Sequence, residues 1–369
     1  MAMHLRAMFR PPSGYSDAPF DTQIKLWVLV LCPSTSEFYI MGSMKVHNHS
    51  HSWRPRLAVI LGDPSGIGRE LIAKLLSNPT NSQKADIFLL ADQSELESAV
   101  VDAGNTQVLL SSSAGPNGAE LLDDNTADKY PTIRAKVSKA AGERVIHQHK
   151  RALSLVLKLG GMKEVDEQRW FASQLDFNGR TSEINLAGPL WTGRVTSHIG
   201  LEEVAGRITK ESTLEVIELL HRLRRESGIS FPRLGVCALN PHNGESGSFG
   251  RQEIDHIQPA VEAARAKGID VQGPFPCDTI VIKRQHFDGL VTLYHDQGQI
   301  AMKLLSFDGG VTMLGGLPIP VATLAHGTAF DIAGKNFAAV TSTQNVFDIA
   351  FIIAERRILA QISEGDVAI

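Results

Sequence analysis

The sequence is poor in the features that mark secreted, membrane-spanning or nucleic-acid-binding proteins. Cysteine occurs three times in 369 residues, at Cys32, Cys237 and Cys277. That is too few and too scattered for a disulfide framework or a cysteine-rich zinc site, and it suits a reducing compartment, hence a cytoplasmic location. The longest strongly apolar run near the start, residues 26–32, falls far short of the roughly 20 residues needed to cross a bilayer. The net charge of -4 offers no electrostatic attraction for nucleic acid. The glycine-containing turn at residues 62–68 is neither a G-x-G-x-x-G fingerprint nor a phosphate loop ending in Gly-Lys-Ser/Thr. No internal repeat is visible. What is present is 43% hydrophobic and 21% charged residues, a composition that supports a sizeable core. The length suggests roughly two domains.

Residues 1–55 read differently from the rest. They hold Pro11-Pro12, scattered serines and the polar stretch at residues 47–52, so the expectation is a disordered or spurious extension, with Met41 and Met44 as alternative starts. From Leu57 onward, apolar runs of strand length alternate with amphipathic stretches. Residues 57–61 read as a buried strand, residues 69–76 as a helix and residues 86–91 as a second strand. Helical periodicity returns at 136–159, 211–225, 253–267 and 345–362, and Gly268 follows the third of these as a C-terminal cap. Strand signals recur at 194–197, 234–239, 289–293 and 311–314, whereas residues 111–130 read as loop. Alternation of strand and helix predicts an α/β fold.

Three histidines stand just after strand-like runs: His198, His242 and His295. Three imidazoles from three strand ends can hold a divalent metal and leave positions open for substrate. Such a metal polarises a hydroxyl or carbonyl oxygen. Three unrelated loop histidines, each satisfied locally, is the competing reading. The turn at 62–68 allows close backbone approach at a helix N-terminus, and by itself reads equally well as a tight strand-to-helix connection.

The segment His326-Gly327-Thr328-Ala329-Phe330-Asp331 resembles the cofactor loop of the isocitrate and isopropylmalate dehydrogenase superfamily. With LGDPSGIGRE at 61–70, VTSHIGLEEVAGRI at 195–208, NPHNGESGSFGRQE at 240–253, GPFPCDT at 273–279 and LYHDQGQIAMK at 293–303, the chain resembles the 4-hydroxythreonine-4-phosphate dehydrogenase family. The resemblance implies a two-domain α/β fold with the active site in the interdomain cleft. The expected division is a cofactor-side domain from 56–160 plus 312–369 and a metal- and substrate-binding domain at 161–311. It implies a divalent metal (Zn, Mg or Co) held by His198, His242 and His295 at a homodimer interface, with ligands from both subunits. It implies NAD, or NADP, against His326, Gly327, Thr328 and Asp331, with Lys303 and Asp278 lining the substrate pocket. The implied reaction is oxidation of a secondary alcohol of a small hydroxy acid, followed in many members by metal-assisted loss of a carboxylate.

Three departures stand out. A strand ending in Ala-Pro-x-Asn-Lys, expected after the helix at 136–159, is missing near 160–165. No Gly-His-Thr-Glu turn precedes residue 168. The phosphate-binding set is eroded: Lys303 remains, but Thr312 stands where Asn is expected and Val321 where Arg is expected. An Arg presents a charged fork to phosphate and a Val does not. These changes speak against 4-phosphohydroxythreonine as the substrate and leave a related non-phosphorylated hydroxy acid or a cyclic dihydrodiol carboxylate as an alternative. The alternative is a catalytically impaired paralogue that serves as a dimeric binding protein.

Overall fold

The computed structural model describes residues 27–31, 54–154, 167–305, 309–325 and 327–364. The expected site of the missing strand and His326 lie outside them, as does most of the N-terminal extension. The strands are β1 (Trp27–Leu31), β2 (Arg56–Ile60), β3 (Asp86–Leu90), β4 (Leu110–Ser111), β5 (Ala119–Leu122) and β6 (Ser182–Ala187). They continue with β7 (Leu190–Arg194), β8 (Leu234–Cys237), β9 (Val271–Phe275), β10 (Gly289–Thr292), β11 (Val311–Gly315) and β12 (Val321–Leu324). The α-helices are α1 (Gly68–Leu76), α2 (Pro79–Lys84), α3 (Gln93–Asp102), α4 (Lys139–Ser154), α5 (Glu167–Gln174) and α6 (Leu201–Arg207). They end with α7 (Lys210–Glu226), α8 (Gln258–Ala266), α9 (Cys277–Ile282), α10 (His295–Leu305) and α11 (Thr341–Glu364).

All twelve strands join one sheet in the order β4-β5-β3-β2-β1-β12-β11-β6-β7-β10-β8-β9. Its two ends are parallel: β2, β3, β5 and β4 run together, as do β7, β10, β8 and β9. The middle, where β12, β11 and β6 lie, is antiparallel. Residues 57–60 show why β2 is central. Leu57 and Val59 enter the larger core, while Ala58 and Ile60 enter a second core with Leu153, Trp170, Phe171 and Val321. Apolar residues at every position, not at alternate ones, are what a strand covered on both faces requires.

One part of the stretch read as a disordered or spurious extension, Trp27–Leu31, is among the described residues. This segment forms β1 and lies inside the sheet, antiparallel to β2 on one side and β12 on the other. The apolar run at 26–32, too short to cross a bilayer, is long enough to supply this five-residue sheet strand. β1 also occupies a position without which β2 and β12 would each carry an unpaired backbone edge.

Four smaller differences have local causes. The strand expected at 194–197 runs from Leu190 to Arg194, and beyond it Val195 and Thr196 still donate to the carbonyls of Thr292, the last residue of β10, and Leu293, at 2.9 and 3.0 Å. β6 turns into β7 through Gly188, at φ 57°. The expected loop at 111–130 contains β5. The helix expected from 253 opens as a π-turn, Glu253–Ile257, just ahead of Pro259, which has no N–H to continue an α pattern backwards.

α4 and α5 cover the second core with Trp170, Phe171 and His149. The His149 Nδ1 lies 2.9 Å from the Val145 carbonyl, and burial pushes its pKa down to about 4. An unfolded His titrates near 6.5, so the unfolded chain takes up this proton first. Stability attributable to His149 is therefore complete above about pH 6.5 and drains away as pH falls towards 4, by about 3 kcal/mol in all. Urea titrations at pH 7 and pH 4.5 should show a smaller loss in His149→Leu than in the wild type; parallel losses would refute it. A second experiment addresses β1. Leu29→Pro removes a backbone donor from a strand paired on both sides, and should cost on the order of 3 kcal/mol. A change below about 0.5 kcal/mol, as for an exposed tail, would show that β1 is not in the sheet.

Candidate active site at the carboxyl ends of the strands

β7, β10 and β8 are adjacent and parallel, so their carboxyl ends emerge side by side. His198 follows β7 and sits at φ 48°. His295 opens α10 directly after β10. Their rings adjoin, with centroids 5.8 Å apart. His295 Nδ1 lies 2.7 Å from the Asp296 carboxylate. Burial holds the His295 imidazole below its ordinary pKa, with Arg194 acting in the same direction and the Asp296 hydrogen bond opposing. Burial and Arg194 thus favour the neutral ring, the state in which imidazole binds a metal.

His242 follows β8 in an unusual turn. Five consecutive residues, His242 to Ser246, have positive φ between 41° and 74°. Left-handed backbone costs an L-residue about 1–2 kcal/mol, so something must hold it. The buried carboxylate of Glu253 does so. Its Oε1 accepts from the Leu239 and Asn240 amides, both at 2.8 Å, and its Oε2 accepts from Asn240 Nδ2 at 2.9 Å. Gly244 lies so close that a Cβ there would come within 2.6 Å of Glu253 Oε2. His242 is exposed, 6.3 Å from the Phe249 ring between centroids. Within one chain the structure thus brings His198 and His295 together and leaves His242 on its own loop.

His242 and Asp278 line one cavity of 610 Å³ with Cys277, Tyr294, Asp296 and Gln297. Gln297 fixes its floor, accepting from the Leu293 amide and donating to the Ala238 carbonyl, both at 2.7 Å. Lys303 is exposed and lies off this cavity. It shares an i, i+4, i+8 stripe of α10 with His295 and Gln299. Gln299 and Thr312 both donate to Asn185 Oδ1, at 3.4 and 3.0 Å, so Thr312 is engaged within the sheet. Val321 is fully buried in the second core and presents nothing to a ligand. Arg194, buried, is ion-paired with Glu183.

The second cluster forms at a different place. β2 and β12 run the same way, opposite to β7, β8 and β10, so the 62–68 turn and residues 327–331 leave the sheet together. The Ile67 amide donates to the Thr328 carbonyl at 3.1 Å. A Cβ on Gly66 would meet that same oxygen at 2.9 Å, which explains the glycine. The turn that was ambiguous in sequence is therefore one wall of the Gly327–Thr328 loop. Asp331 is exposed nearby, and its carbonyl accepts from Lys335 Nζ at 2.6 Å.

Among the described residues, the carboxylates of Asp92, Asp123 and Asp124 also approach within cation-binding reach of one another. They are already compensated: Arg144 reaches Asp92 at 3.0 Å, Arg151 reaches Asp124 at 3.0 Å and His147 reaches Asp124 at 2.6 Å. This network ties α4 to the ends of β3 and β5. Sequence reading missed Glu253, Gln297, Asn185 and the Glu183–Arg194 pair. Of these, Glu253 and Gln297 stood inside motifs already singled out, at 240–253 and 293–303.

An α/β sheet with histidines and carboxylates at adjacent strand ends, and a glycine-walled loop after β12, defines a two-domain dehydrogenase. The chain matches the family described as pyridoxal phosphate biosynthetic protein PdxA over residues 149–350. It is 45% identical to a Pseudomonas aeruginosa protein named as a 4-hydroxythreonine-4-phosphate dehydrogenase, over 326 residues, covering 80% of this chain and 96% of that one. It is 33% identical to the D-threonate 4-phosphate dehydrogenase of Cupriavidus necator, covering 82% and 98%. The crystal structure of 4-hydroxythreonine-4-phosphate dehydrogenase from Klebsiella pneumoniae superposes with a TM-score of 0.66 at 30% identity, covering 80% and 98%. The chain belongs to the PdxA family, whose members are in general NAD-linked, metal-dependent oxidoreductases acting on CH–OH groups.

The alignment with the Pseudomonas relative bears on the missing strand. Eighty per cent of 369 residues is about 295, so about thirty of the 326 aligned positions have no residue of this chain opposite them.

Glu253→Ala should cost about 2–4 kcal/mol in urea denaturation, since two amides and a carboxamide lose a charged acceptor. Glu245→Ala, exposed in the same turn, should change stability by less than about 0.5 kcal/mol. Equal effects would show that the carboxylate does not hold the turn.

Proposed function

We propose that this chain oxidises the secondary alcohol of a small hydroxy acid with NAD or NADP, at a divalent metal held by His198, His242 and His295. The observation that supports it most is that three adjacent parallel strands each end in one of these histidines. His198 and His295 adjoin, whereas His242 stands apart within the chain, which favours a homodimer whose two copies share the ligand set. Neutral imidazoles suit Zn, Co or a similar borderline cation. When bound, the metal supplies Lewis-acid polarisation of the substrate oxygens. Asp278 lines the cavity beside His242 and is assigned to substrate binding, as is Lys303 on the His295 stripe of α10. His326, Gly327, Thr328 and Asp331 are assigned to the cofactor. The Gly66–Thr328 contact supports this, because it leaves backbone and small side chains along the wall a dinucleotide would follow. The division into 56–160 plus 312–369 and 161–311, with the cleft between, follows the sheet order, and a cytoplasmic location fits the cysteine content. Among the described residues no helix is long and apolar enough to cross a membrane.

The relatives are named for 4-phosphorylated substrates. Here Val321 is a core residue and Thr312 bonds to Asn185, so the phosphate grip expected at those positions is absent. A four-carbon hydroxy acid is therefore expected to react at least as well, by kcat/KM, as its 4-phosphate. Following NAD reduction with both tests this; a phosphate preference of about a hundredfold or more, worth about 3 kcal/mol, would overturn it. In the same preparation, metal content by elemental analysis should fall in His198→Ala, His242→Ala and His295→Ala. Full occupancy in all three would remove the metal assignment. A second reading, a binding protein without turnover, is favoured by the thirty-position gap and by β1 standing in the sheet beside β2. Neither NAD reduction nor NAD binding would select it.

A further inference from the structure

Cys237 and Cys277 are forty positions apart in sequence, yet the fold puts them side by side. Cys237 ends β8 and is fully buried. Its Cα partner on β9 is Phe275, and Cys277 follows two residues later as the first residue of α9. Side chains two apart on an extended chain share a face, so Cys277 returns to the side that Cys237 occupies. The register thus places the two thiols next to each other at the carboxyl end of β8. Only Cys277 reaches solvent: it is half-buried and lines the 610 Å³ cavity with His242 and Asp278. Its Sγ also lies 3.9 Å from the Gln297 carbonyl. The Cys237 thiol, donating to it, holds the Cys277 pKa below the ordinary value, while the same bond and burial push Cys237 up. One reachable, more acidic thiol backed by a buried partner is the arrangement of an attacking and a resolving cysteine.

We propose that Cys237 and Cys277 form a peroxide-sensitive dithiol–disulfide switch beside the candidate active site. The Cys277 thiolate attacks one oxygen of hydrogen peroxide and the O–O bond breaks. This leaves a sulfenic acid on Cys277 and a hydroxide that takes a proton from solvent. The Cys237 sulfur then attacks Cys277. The S–S bond forms, the S–O bond breaks, and water departs with the Cys237 proton. Two thiols lose two electrons and one peroxide becomes two waters. A thiol reductant reverses the step by exchange. The bond would fasten the end of β8, from which the His242 turn departs, to the residue beside Asp278. The peptide chemistry is independent of the dehydrogenase reading; only the effect on turnover rests on it.

The full-length protein is treated with hydrogen peroxide and its peptides are mapped under non-reducing conditions by mass spectrometry. The expected product is a peptide pair joined through Cys237 and Cys277, absent after dithiothreitol and retained in Cys32→Ser. In Cys237→Ser, Cys277 should instead be trapped as a sulfenic acid by dimedone. Trypsin cleavage at Arg251, exposed beyond the His242 turn, should slow in the oxidised protein. NAD reduction should fall by about fivefold or more and recover with reductant. Linkage to Cys32, or sulfinic acid on Cys277 without a linked pair, would overturn the proposal. So would a linked pair with unchanged tryptic cleavage and unchanged turnover. If the protein turns over no hydroxy acid at all, the linked peptide and the Arg251 cleavage rate still decide it.

Discussion

The backbone pairing of β1 with β2 and β12 is the contact on which the rest of this molecule depends. β2 and β12 lie in the middle of the sheet, and their residues from Leu57 to Ile60 and from Val321 to Leu324 are almost wholly buried. Buried amides and carbonyls need partners, because water cannot reach them. With β1 between them, both strands are paired on both sides, and the sheet runs unbroken from β4 to β9. Without it, two edges would open at the centre. A sheet accepts either direction, since antiparallel pairing is at least as stable per residue as parallel.

Sheet continuity also sets the chemistry. Parallel strands deliver their carboxyl ends to one edge, so β7 and β10 present His198 and His295 side by side, while β8 leads to His242 on a separate loop of the same edge. What holds each in place differs. His295 is fixed by the start of a helix and by Asp296. His198 sits in a single left-handed residue. His242 is carried on five, a conformation that a buried carboxylate must hold from below. The same edge brings His242 to the cavity that Cys277 and Asp278 line.

Much of this was legible in the chain. The apolar runs at 57–61, 86–91, 234–239 and 289–293 announced strands covered on both faces, because alternation is lost when both sides are dry. Helical periodicity located α7 to within one residue at either end. The motifs marked the three histidines and the loop after β12. The N-terminal strand was not read from the sequence, because its apolar run at 26–32 lies among polar, proline- and serine-containing stretches that read as a tail. Nor were Glu253 and Gln297: a carboxylate and a carboxamide look like surface residues until backbone amides are seen to converge on them. Thr312 and Val321 were read as changes at a phosphate site. The structure gives each a positive role, one in a buried hydrogen bond with Asn185 and the other in the second core.

The sequence by itself determined the fold class, the family and the residue types available for metal and cofactor, because periodicity and local motifs are properties of neighbouring residues. The tertiary structure decided what depends on distant segments meeting. It put β1 into the sheet, set the 62–68 turn against Thr328, separated Lys303 from the Asp278 cavity and joined Cys237 to Cys277. Each of these is a contact between chain segments that no local pattern encodes, fixed by strand order and direction once every buried backbone group has found its partner.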